Sequence, residues 1–170
     1  MPYFTIYLRT RSENEYIMQA KSALNDNEVN LIWLRRSLRI RRRGKQIETL
    51  APIFPGYLFV EAQEISPEIF IKLSRIPGFF RFLNSNENIV PLSCDDRDLL
   101  IYLLSFGQIV RKSVVYFDKN NRIRVVSGPL KQLEGQIIKV DRRKGRAKVR
   151  LDMFKNSFLI DFGFEALEKI

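Results

Sequence analysis

Apolar runs and amphipathic stretches alternate over the first hundred residues of the chain. Continuous or alternating apolar runs predict strands over residues 4–8, 29–34, 57–60 and 79–83. Apolar residues three or four positions apart predict helices over residues 13–24, 67–76 and 94–104. The order strand, helix, strand, strand, helix, strand, helix predicts an α+β domain in which helices flank a mostly antiparallel sheet.

Polar residues stand where these helices are predicted to begin. Ser12 precedes Glu15 by three residues, which is the spacing of a capping box. Ser66 precedes Pro67, and proline is favoured at the first helical position. Ser93 opens the third helix, and acidic residues follow it in the first turn, where the helix dipole favours them. Helix capping therefore explains these carboxylates without catalysis.

The pattern changes after residue 106. Residues 107–118 show no helical face, and we expect them to be a linker between a domain at 1–106 and a second domain at 119–170. The second domain contains four or five short apolar strands separated by glycine-containing turns. This arrangement predicts a small all-β barrel of the SH3-like kind.

The strand pattern is clearest over residues 146–153. Apolar and polar residues alternate there without interruption, so one side chain in two is expected to enter the barrel core. Gly145 is expected to form the hairpin turn before this strand, and Gly128 the turn before Pro129. Gly135 is expected to permit a bulge or a close backbone approach.

Composition excludes several functional classes. The chain of 170 residues has no histidine and one cysteine, Cys94. This removes Ser–His and Cys–His nucleophile pairs, the commonest metal ligand, internal disulfides and zinc-finger spacing. No glycine-rich phosphate loop, export signal or apolar run of about 18 residues is present. We expect a cytoplasmic protein that is not an enzyme and binds no cofactor, metal or membrane.

The net charge of +10 is concentrated in two parts of the sequence. Residues 119–170 hold thirteen Lys or Arg against six Asp or Glu. Residues 35–45 hold seven Lys or Arg and no acidic residue, and they are expected to form a strand end and a long loop. Two separate cationic packets indicate two surfaces that face polyanions.

These packets supply the candidate nucleic-acid-binding residues. The alternative is that they form solvated faces or a mobile loop, as runs of charge often do. We favour nucleic-acid contact for the second packet, because like charges on one strand face repel unless a polyanion meets them. The candidates are Arg39, Arg41, Arg42, Arg43, Lys131, Lys139, Arg142, Arg143, Lys144, Arg146, Lys148 and Arg150.

An aromatic segment stands out at residues 51–60, which read APIFPGYLFV. Pro52 and Pro55 lack backbone donors, so the segment is not mid-helix or mid-sheet until after Gly56, which permits a tight bend. The following residues predict a short buried strand. Phe54 and Tyr57 either fill the local core or are presented to a partner at the mouth of the strand.

Two motifs carry a resemblance to a known family. Residues 54–60, FPGYLFV, resemble the signature of the NusG family of bacterial transcription elongation factors. Residues 124–137, RVVSGPLKQLEGQI, resemble the KOW motif, which occurs in NusG proteins and in some ribosomal proteins. The ending over residues 162–168 is also similar to NusG. The resemblance covers nearly the whole chain, in the same order and spacing.

This resemblance implies a function. The N-terminal domain would bind the clamp helices of RNA polymerase, bridge the DNA channel and suppress pausing. Phe54, Pro55, Tyr57 and Phe59 match the motif that forms the apolar docking pocket of the family, and Tyr7 is a further candidate. The factor would act as a monomer by binding the elongating polymerase better than the paused one.

Departures from the family pattern favour a specialised member. Residues 4–7, FTIY, stand where the family usually has Trp-Tyr, and residues 154–156, FKN, stand where general factors commonly have Phe-Gly-Arg. The arginine-rich KOW segment resembles antiterminators of the LoaP type, whose KOW domains are implicated in binding leader RNA hairpins. We therefore favour a transcription antitermination and processive elongation factor that contacts RNA. Non-template DNA is a further candidate ligand.

Two alternatives stay open at this level. The chain could be a general NusG that couples RNA polymerase to Rho or the ribosome. It could also be a ribosome-associated or generic RNA-binding KOW protein, against which the aromatic segment at residues 54–59 argues.

Overall fold

The structure, a computed structural model, describes residues 1–25 and 27–168. In chain order its helices and strands are β1 (Tyr3–Leu8), α1 (Glu13–Ala23), β2 (Asn30–Ile32), β3 (Arg35–Arg42), β4 (Lys45–Pro52), β5 (Tyr57–Glu61), α2 (Pro67–Ser74), β6 (Phe79–Phe82), α3 (Cys94–Leu104), β7 (Ile109–Val110), β8 (Ser113–Phe117), β9 (Ile123–Ser127), β10 (Ile137–Asp141), β11 (Arg146–Met153) and β12 (Asn156–Ala166). Short 3₁₀ turns cover Pro129–Gln132 and Glu134–Gln136.

The chain divides into two compact units that are each discontinuous in sequence. The first comprises Met1–Trp33 and Phe54–Arg97, and the second comprises Leu34–Ile53 together with the described part of the chain from Asp98 onwards. The α+β organisation predicted for the N-terminal region and the small β module predicted for the C-terminal region are both confirmed. No helix in the described part of the chain is long and apolar enough to span a membrane.

The first unit is built on a four-stranded sheet in the order β2-β5-β1-β6. All of its strand pairs are antiparallel. One face buries Phe4, Ile6 and Leu8 of β1 against Tyr16 and Ala20 of α1 and against side chains of α2. This core fixes the sheet whose opposite face carries Tyr7 and Tyr57.

The second unit contains a curled, five-stranded half-barrel in the order β10-β11-β12-β8-β9. The long antiparallel pair β11–β12 forms its centre, and β8 adds to β12 in parallel. On β11 the predicted alternation is confirmed, because Ala147, Val149, Leu151 and Met153 are all buried. The unit also contains a three-stranded sheet in the order β4-β3-β7.

The arginine-rich segment differs from the expected long loop. Residues 35–52 form a β-hairpin in unbroken register from Arg35↔Pro52 to Arg42↔Lys45. Arg43 and Gly44 both have positive φ, 51° and 77°, as a tight two-residue hairpin turn requires. The loop prediction was wrong because the run of charge hid a turn signal flanked by two strands.

Residues 107–118, predicted to be a linker, hold β7 and β8. Val115 and Phe117 alternate with the more exposed Val114 and Tyr116, a strand period that the polar residues on either side obscured. Gly135 does not form the expected bulge or close approach, since it lies in a 3₁₀ turn with open space around it.

Helix capping is confirmed at two of the three predicted starts. The hydroxyl of Ser66 accepts a hydrogen bond from the Ile69 amide at 3.2 Å, and that of Ser93 accepts one from the Asp96 amide at 3.3 Å. The Ser12 capping box was wrong. The Ser12 hydroxyl instead donates to the Arg9 carbonyl oxygen at 2.5 Å, because Ser12 is packed under Gly78.

Candidate functional site

Three aromatic rings form a surface cluster on the first unit. Tyr7 of β1 and Tyr57 of β5 are register partners, and their ring centroids are 5.0 Å apart. The ring of Phe80 in β6 lies 5.5 Å from that of Tyr7, and Phe80 is 55% exposed. We call Tyr7, Tyr57 and Phe80 the aromatic cluster; it spans three neighbouring strands.

The bend before β5 places Tyr57 in this cluster. Gly56 has φ of +83°, and a Cβ atom there would lie 3.0 Å from the Leu8 carbonyl oxygen and 3.2 Å from the Tyr7 ring. The Gly56 amide donates to the buried Glu13 carboxylate at 2.9 Å. Glycine is therefore required for the close approach, and the first turn of α1 holds the bend.

The predicted docking residues fall into two groups. Phe54 and Phe59 are 2% and 0% exposed, and their rings pack edge to face with centroids 6.2 Å apart. Pro55 is exposed and Tyr57 is half-buried. Burial raises the pKa of Tyr57, so its hydroxyl stays neutral. The polymerase-binding role of all five residues, Tyr7, Phe54, Pro55, Tyr57 and Phe59, stays a prediction.

Sequence reasoning missed Phe80 as a site residue. Its strand was predicted correctly, but the run FFRF does not show which ring is exposed. The available signal was Gly78, which with Pro77 forms a turn directly before these rings.

The positive charge of strand β11 is less available to a ligand than the sequence suggested. Arg146, Lys148 and Arg150 do share the side of the strand opposite the buried residues. However, Asp161 of β12 is the register partner of Lys148, and Asp141 of β10 is that of Arg146. A cleft of about 100 Å³ on this face is lined by Lys139, Asp141, Lys144, Arg146, Lys148 and Asp161. Two carboxylates therefore offset part of its positive charge.

Three other residues that were predicted to bind nucleic acid make contacts inside the second unit. The guanidinium carbon of Arg142 lies 3.9 Å from the centroid of the Phe117 ring. The Lys131 ammonium donates to the Val125 carbonyl oxygen at 3.0 Å, and Arg150 donates to the Ser157 hydroxyl at 3.1 and 3.3 Å.

The β3–β4 hairpin packs against the half-barrel within the second unit. The Arg36 guanidinium donates to the carbonyl oxygen of Asp161 at 2.5 Å and to that of Pro52. Burial lowers the pKa of Arg36. Arg146 in turn donates to the Arg39 carbonyl oxygen at 3.0 Å. Arg39 and Arg41 are thereby brought next to Arg143 and Lys144, and these four line one groove of about 320 Å³. Arg42 and Arg43 stay exposed at the hairpin tip.

A comparison with models of known protein families shows which family the chain belongs to. The NusG family model, described as transcription termination factor nusG, matches residues 1–101. The chain belongs to the NusG family. It has the family's N-terminal domain followed by a KOW module, and it is a NusG-type transcription termination/antitermination factor. Members of the NusG family are non-enzymatic, in keeping with the expectation from composition.

Similar proteins support this assignment. The NusG termination/antitermination protein of Thermus thermophilus is 28% identical over 138 residues, which cover 78% of this chain and 75% of that protein. The NusG of Borreliella burgdorferi is 24% identical and covers 76% and 74% of the two chains. The NusG of Helicobacter pylori strain 26695 is 20% identical over 100% of this chain and 99% of its own.

A solved structure shares the fold. A structure described as domain interaction in Thermotoga maritima NusG superposes with a TM-score of 0.61 at 16% identity, and covers 95% of this chain and 93% of that one. Within the described residues, no group of three or more Cys, Asp or Glu side chains is arranged to hold a metal ion.

Proposed function

We propose that this NusG-type factor binds RNA polymerase through the aromatic cluster and acts as an antitermination and processive elongation factor. The observation that carries the proposal is a cluster of three adjacent rings, Phe80 exposed and Tyr7 and Tyr57 half-buried, on a sheet whose other face is a packed core. A factor that binds the elongating polymerase better than the paused one shifts the population towards elongation without any covalent chemistry.

The aromatic cluster has the chemistry of a protein-binding hot spot. Tyrosine and phenylalanine supply large contact areas with few rotatable bonds, and interface cores are enriched in them. Arg81, the register partner of Tyr7, adds a cation at the edge of the cluster. Clamp helices of RNA polymerase, which the family resemblance implies as the partner, would contact the rings of Tyr7, Tyr57 and Phe80.

We further propose that the second unit contacts nucleic acid, with a leader RNA hairpin as the favoured ligand. The excess of Lys and Arg over Asp and Glu in residues 119–170 supports this, and so does the hairpin that brings further arginines to the same unit. The arginine-rich KOW segment favours a specialised, LoaP-like antiterminator over a general factor.

The polymerase contact is tested by retention of the chain on purified RNA polymerase. We expect Tyr57→Ala and Phe80→Ala each to weaken binding about tenfold or more, as truncation of a hot-spot ring does. Tyr116→Ala is the matched control, since Tyr116 is also an exposed aromatic residue on a strand, at 45% exposure. Unchanged retention of both variants would reject the aromatic cluster as the docking surface.

Phe54→Ala is not a suitable test of docking. Removal of a buried phenylalanine typically costs about 3–5 kcal/mol of folding free energy, so lost binding would not report on contact. Tyr57 and Phe80 avoid this problem because both are accessible.

A general NusG role, with coupling to Rho or the ribosome, is the second candidate. Ile138 on β10 and Leu159 on β12 are 55% and 57% exposed, and such side chains suit a protein ligand. Selective binding of Rho or a ribosomal protein by the intact chain, with no preference for leader RNA, would favour this candidate.

A further inference from the structure

We propose that the two basic packets form one phosphodiester-binding groove, in which Arg39 and Arg41 of β3 and Arg143 and Lys144 of the β10–β11 turn hold the same nucleic-acid backbone. This inference rests on the proposed nucleic-acid contact of the second unit. It replaces two separate polyanion-facing surfaces with one site, which exists only while the hairpin is packed against the half-barrel.

The composition of the groove distinguishes it from the neighbouring cleft. The groove of about 320 Å³ is lined by Arg39, Ile40, Arg41, Gln46, Arg143 and Lys144. Four of these six side chains are cationic and none is acidic. The cleft over β11 has two carboxylates among its six lining residues. The groove is therefore the stronger candidate for a polyanion, although β11 carries the more obvious sequence pattern.

The hairpin is attached to the half-barrel by backbone contacts as well as by side chains. Arg146 donates to the Arg39 carbonyl oxygen, and Arg36 donates to that of Asp161. A Cβ atom on Gly163 would lie 3.0 Å from the Ser37 carbonyl oxygen, so β3 and β12 approach as closely as glycine permits. Arg39 and Arg41 are thus presented from an anchored strand, beside the turn that carries Arg143 and Lys144.

Gly145 makes room for one wall of the groove. A Cβ atom at this position would lie 3.0 Å from a terminal nitrogen of Arg39 and 3.0 Å from the Phe164 carbonyl oxygen. The Arg39 guanidinium therefore rests against the turn that carries Arg143 and Lys144. A larger residue at position 145 would displace this guanidinium without changing any charge.

The acidic residue that is paired in register with Arg39 already forms an ion pair elsewhere. Glu48 is the strand partner of Arg39, but its carboxylate forms an ion pair with Lys112. The hydrogen bond from Lys112 is the main cause that lowers the pKa of Glu48. Glu48 therefore stays ionised and bound to Lys112, and it does not line the groove.

Phosphate binding would relieve the repulsion within the groove. Four like charges held near one another attract counterions, and a polyanion that replaces these counterions gains affinity from their release. Each phosphate contact adds about 0.9 to the slope of log affinity against log salt for duplex DNA and about 0.7 for single strands. Contacts of this kind give affinity without reading the sequence.

The test measures binding of the intact chain to a 20-base-pair RNA hairpin and to a DNA hairpin of the same sequence, over a range of salt concentrations. Arg39→Gln/Arg41→Gln and Arg143→Gln/Lys144→Gln are each expected to weaken binding about tenfold or more and to lower the salt slope by roughly 1–2. Arg75→Gln/Lys155→Gln, which removes two exposed cations that line neither the groove nor the cleft over β11, is expected to change neither quantity appreciably.

A charge-neutral pair of variants tests the shape of the groove. Asparagine tolerates positive φ, so Gly145→Asn (φ +66°) and Gly44→Asn (φ +77°) both keep their turns. Gly145→Asn shifts the Arg39 guanidinium and is expected to weaken binding measurably, though by less than Arg39→Gln/Arg41→Gln does. Gly44→Asn has nothing within 4 Å of its Cβ atom and is expected to bind as the parent does. Thermal unfolding confirms that both variants fold.

Each outcome decides between one groove and two surfaces. If Gly145→Asn folds and binds as the parent does, or if either double variant leaves affinity and salt slope unchanged, the single groove is overturned. Loss of binding on Lys148→Gln/Arg150→Gln alone would then place the ligand on β11, with the proposed function intact. If the parent chain binds neither hairpin, both this inference and the RNA part of the proposed function fail, whereas polymerase retention is judged separately. Preference for one hairpin identifies RNA or DNA as the source of the backbone.

Discussion

Tyr16 shows how one side chain ties the helices of the first unit together. It is fully buried in α1, and its hydroxyl donates to the Leu73 carbonyl oxygen of α2 at 2.8 Å. Burial raises the pKa of Tyr16, which therefore remains a neutral donor across the physiological range. The ring adds apolar contact with the face of the sheet, and the hydroxyl supplies a directional bond that phenylalanine lacks.

Tyr16→Phe is expected to lower the free energy of unfolding by about 1 kcal/mol. The loss stays modest because the Leu73 carbonyl oxygen also accepts backbone hydrogen bonds at the end of α2. Urea unfolding measures the change, and Tyr116→Phe is the control, since the Tyr116 side chain is exposed. Equal losses in the two variants would show that the buried hydrogen bond contributes nothing specific.

At the scale of single residues, the sequence predicts the burial of side chains better than their hydrogen bonds. Apolar spacing predicted a helix over residues 13–24, and the apolar residues Ile17, Ala20 and Leu24 of that segment all contribute to the core. Local spacing also suggested a bond for Ser12, but packing of Gly78 over that serine redirected its hydroxyl. Tertiary neighbours decide such polar contacts, and a linear pattern does not contain them.

The β8–β9 turn is an element whose geometry depends on one carboxylate. One oxygen of Asp118 accepts from the Asn120 and Arg122 amides at 2.8 and 3.0 Å, and the other accepts from Arg124 at 3.1 Å. These bonds, led by that from the Arg122 amide, lower the pKa of Asp118 below its ordinary value of 3.8. The ionised form is therefore the one that the folded turn favours.

Asp118→Ala is expected to destabilise the protein in a pH-dependent manner. Because the folded-state pKa is depressed, the contribution of Asp118 is complete above the unfolded-state pKa of about 4 and is lost as pH falls through the lower folded-state value. Unfolding measured between pH 7 and pH 2 should show a constant difference from the parent above about pH 5 that shrinks below about pH 4. A difference that does not depend on pH would contradict this role.

At the scale of elements, regular patterns were predicted well and charged strands were not. The alternation over β11 gave its bounds and its buried face, since apolar residues there occupy every second position. In β3, arginines occupy five of the eight strand positions, and this run of charge masked the pairing of β3 with β4. The aromatic segment was located correctly, but burial of Phe54 and exposure of Phe80 depend on the face that each ring occupies.

For the molecule as a whole, the units do not follow the linear order of the chain. The hairpin at 35–52 belongs to the same compact unit as the half-barrel, although the sequence placed it in a domain at 1–106. The predicted start of the second domain at residue 119 excludes β8, which lies between β12 and β9 in the sheet. The boundaries at 106 and 119 stay predictions that fragments can test.

A fragment of residues 119–170 is expected to lack cooperative thermal unfolding. It leaves β9 without its strand partner and exposes the edge of β12. A fragment of residues 108–170 keeps β8 and is expected to unfold cooperatively. Both fragments lack the β3–β4 hairpin, and β7 in the longer fragment has lost its partner β3, so the comparison reports on β8. Identical melting curves would favour the boundary predicted from the sequence.

The contact of β3 with β12 has a consequence for synthesis on the ribosome. Arg36 reaches its acceptor in Asp161 only after more than a hundred further residues have been translated, which takes on the order of ten seconds at typical elongation rates. During that interval the arginine-rich hairpin leaves the ribosome before β12 has been made, close to ribosomal RNA. Late arrival of the carboxyl-terminal strand therefore sets the earliest moment at which the nascent factor can bury the Arg36 guanidinium.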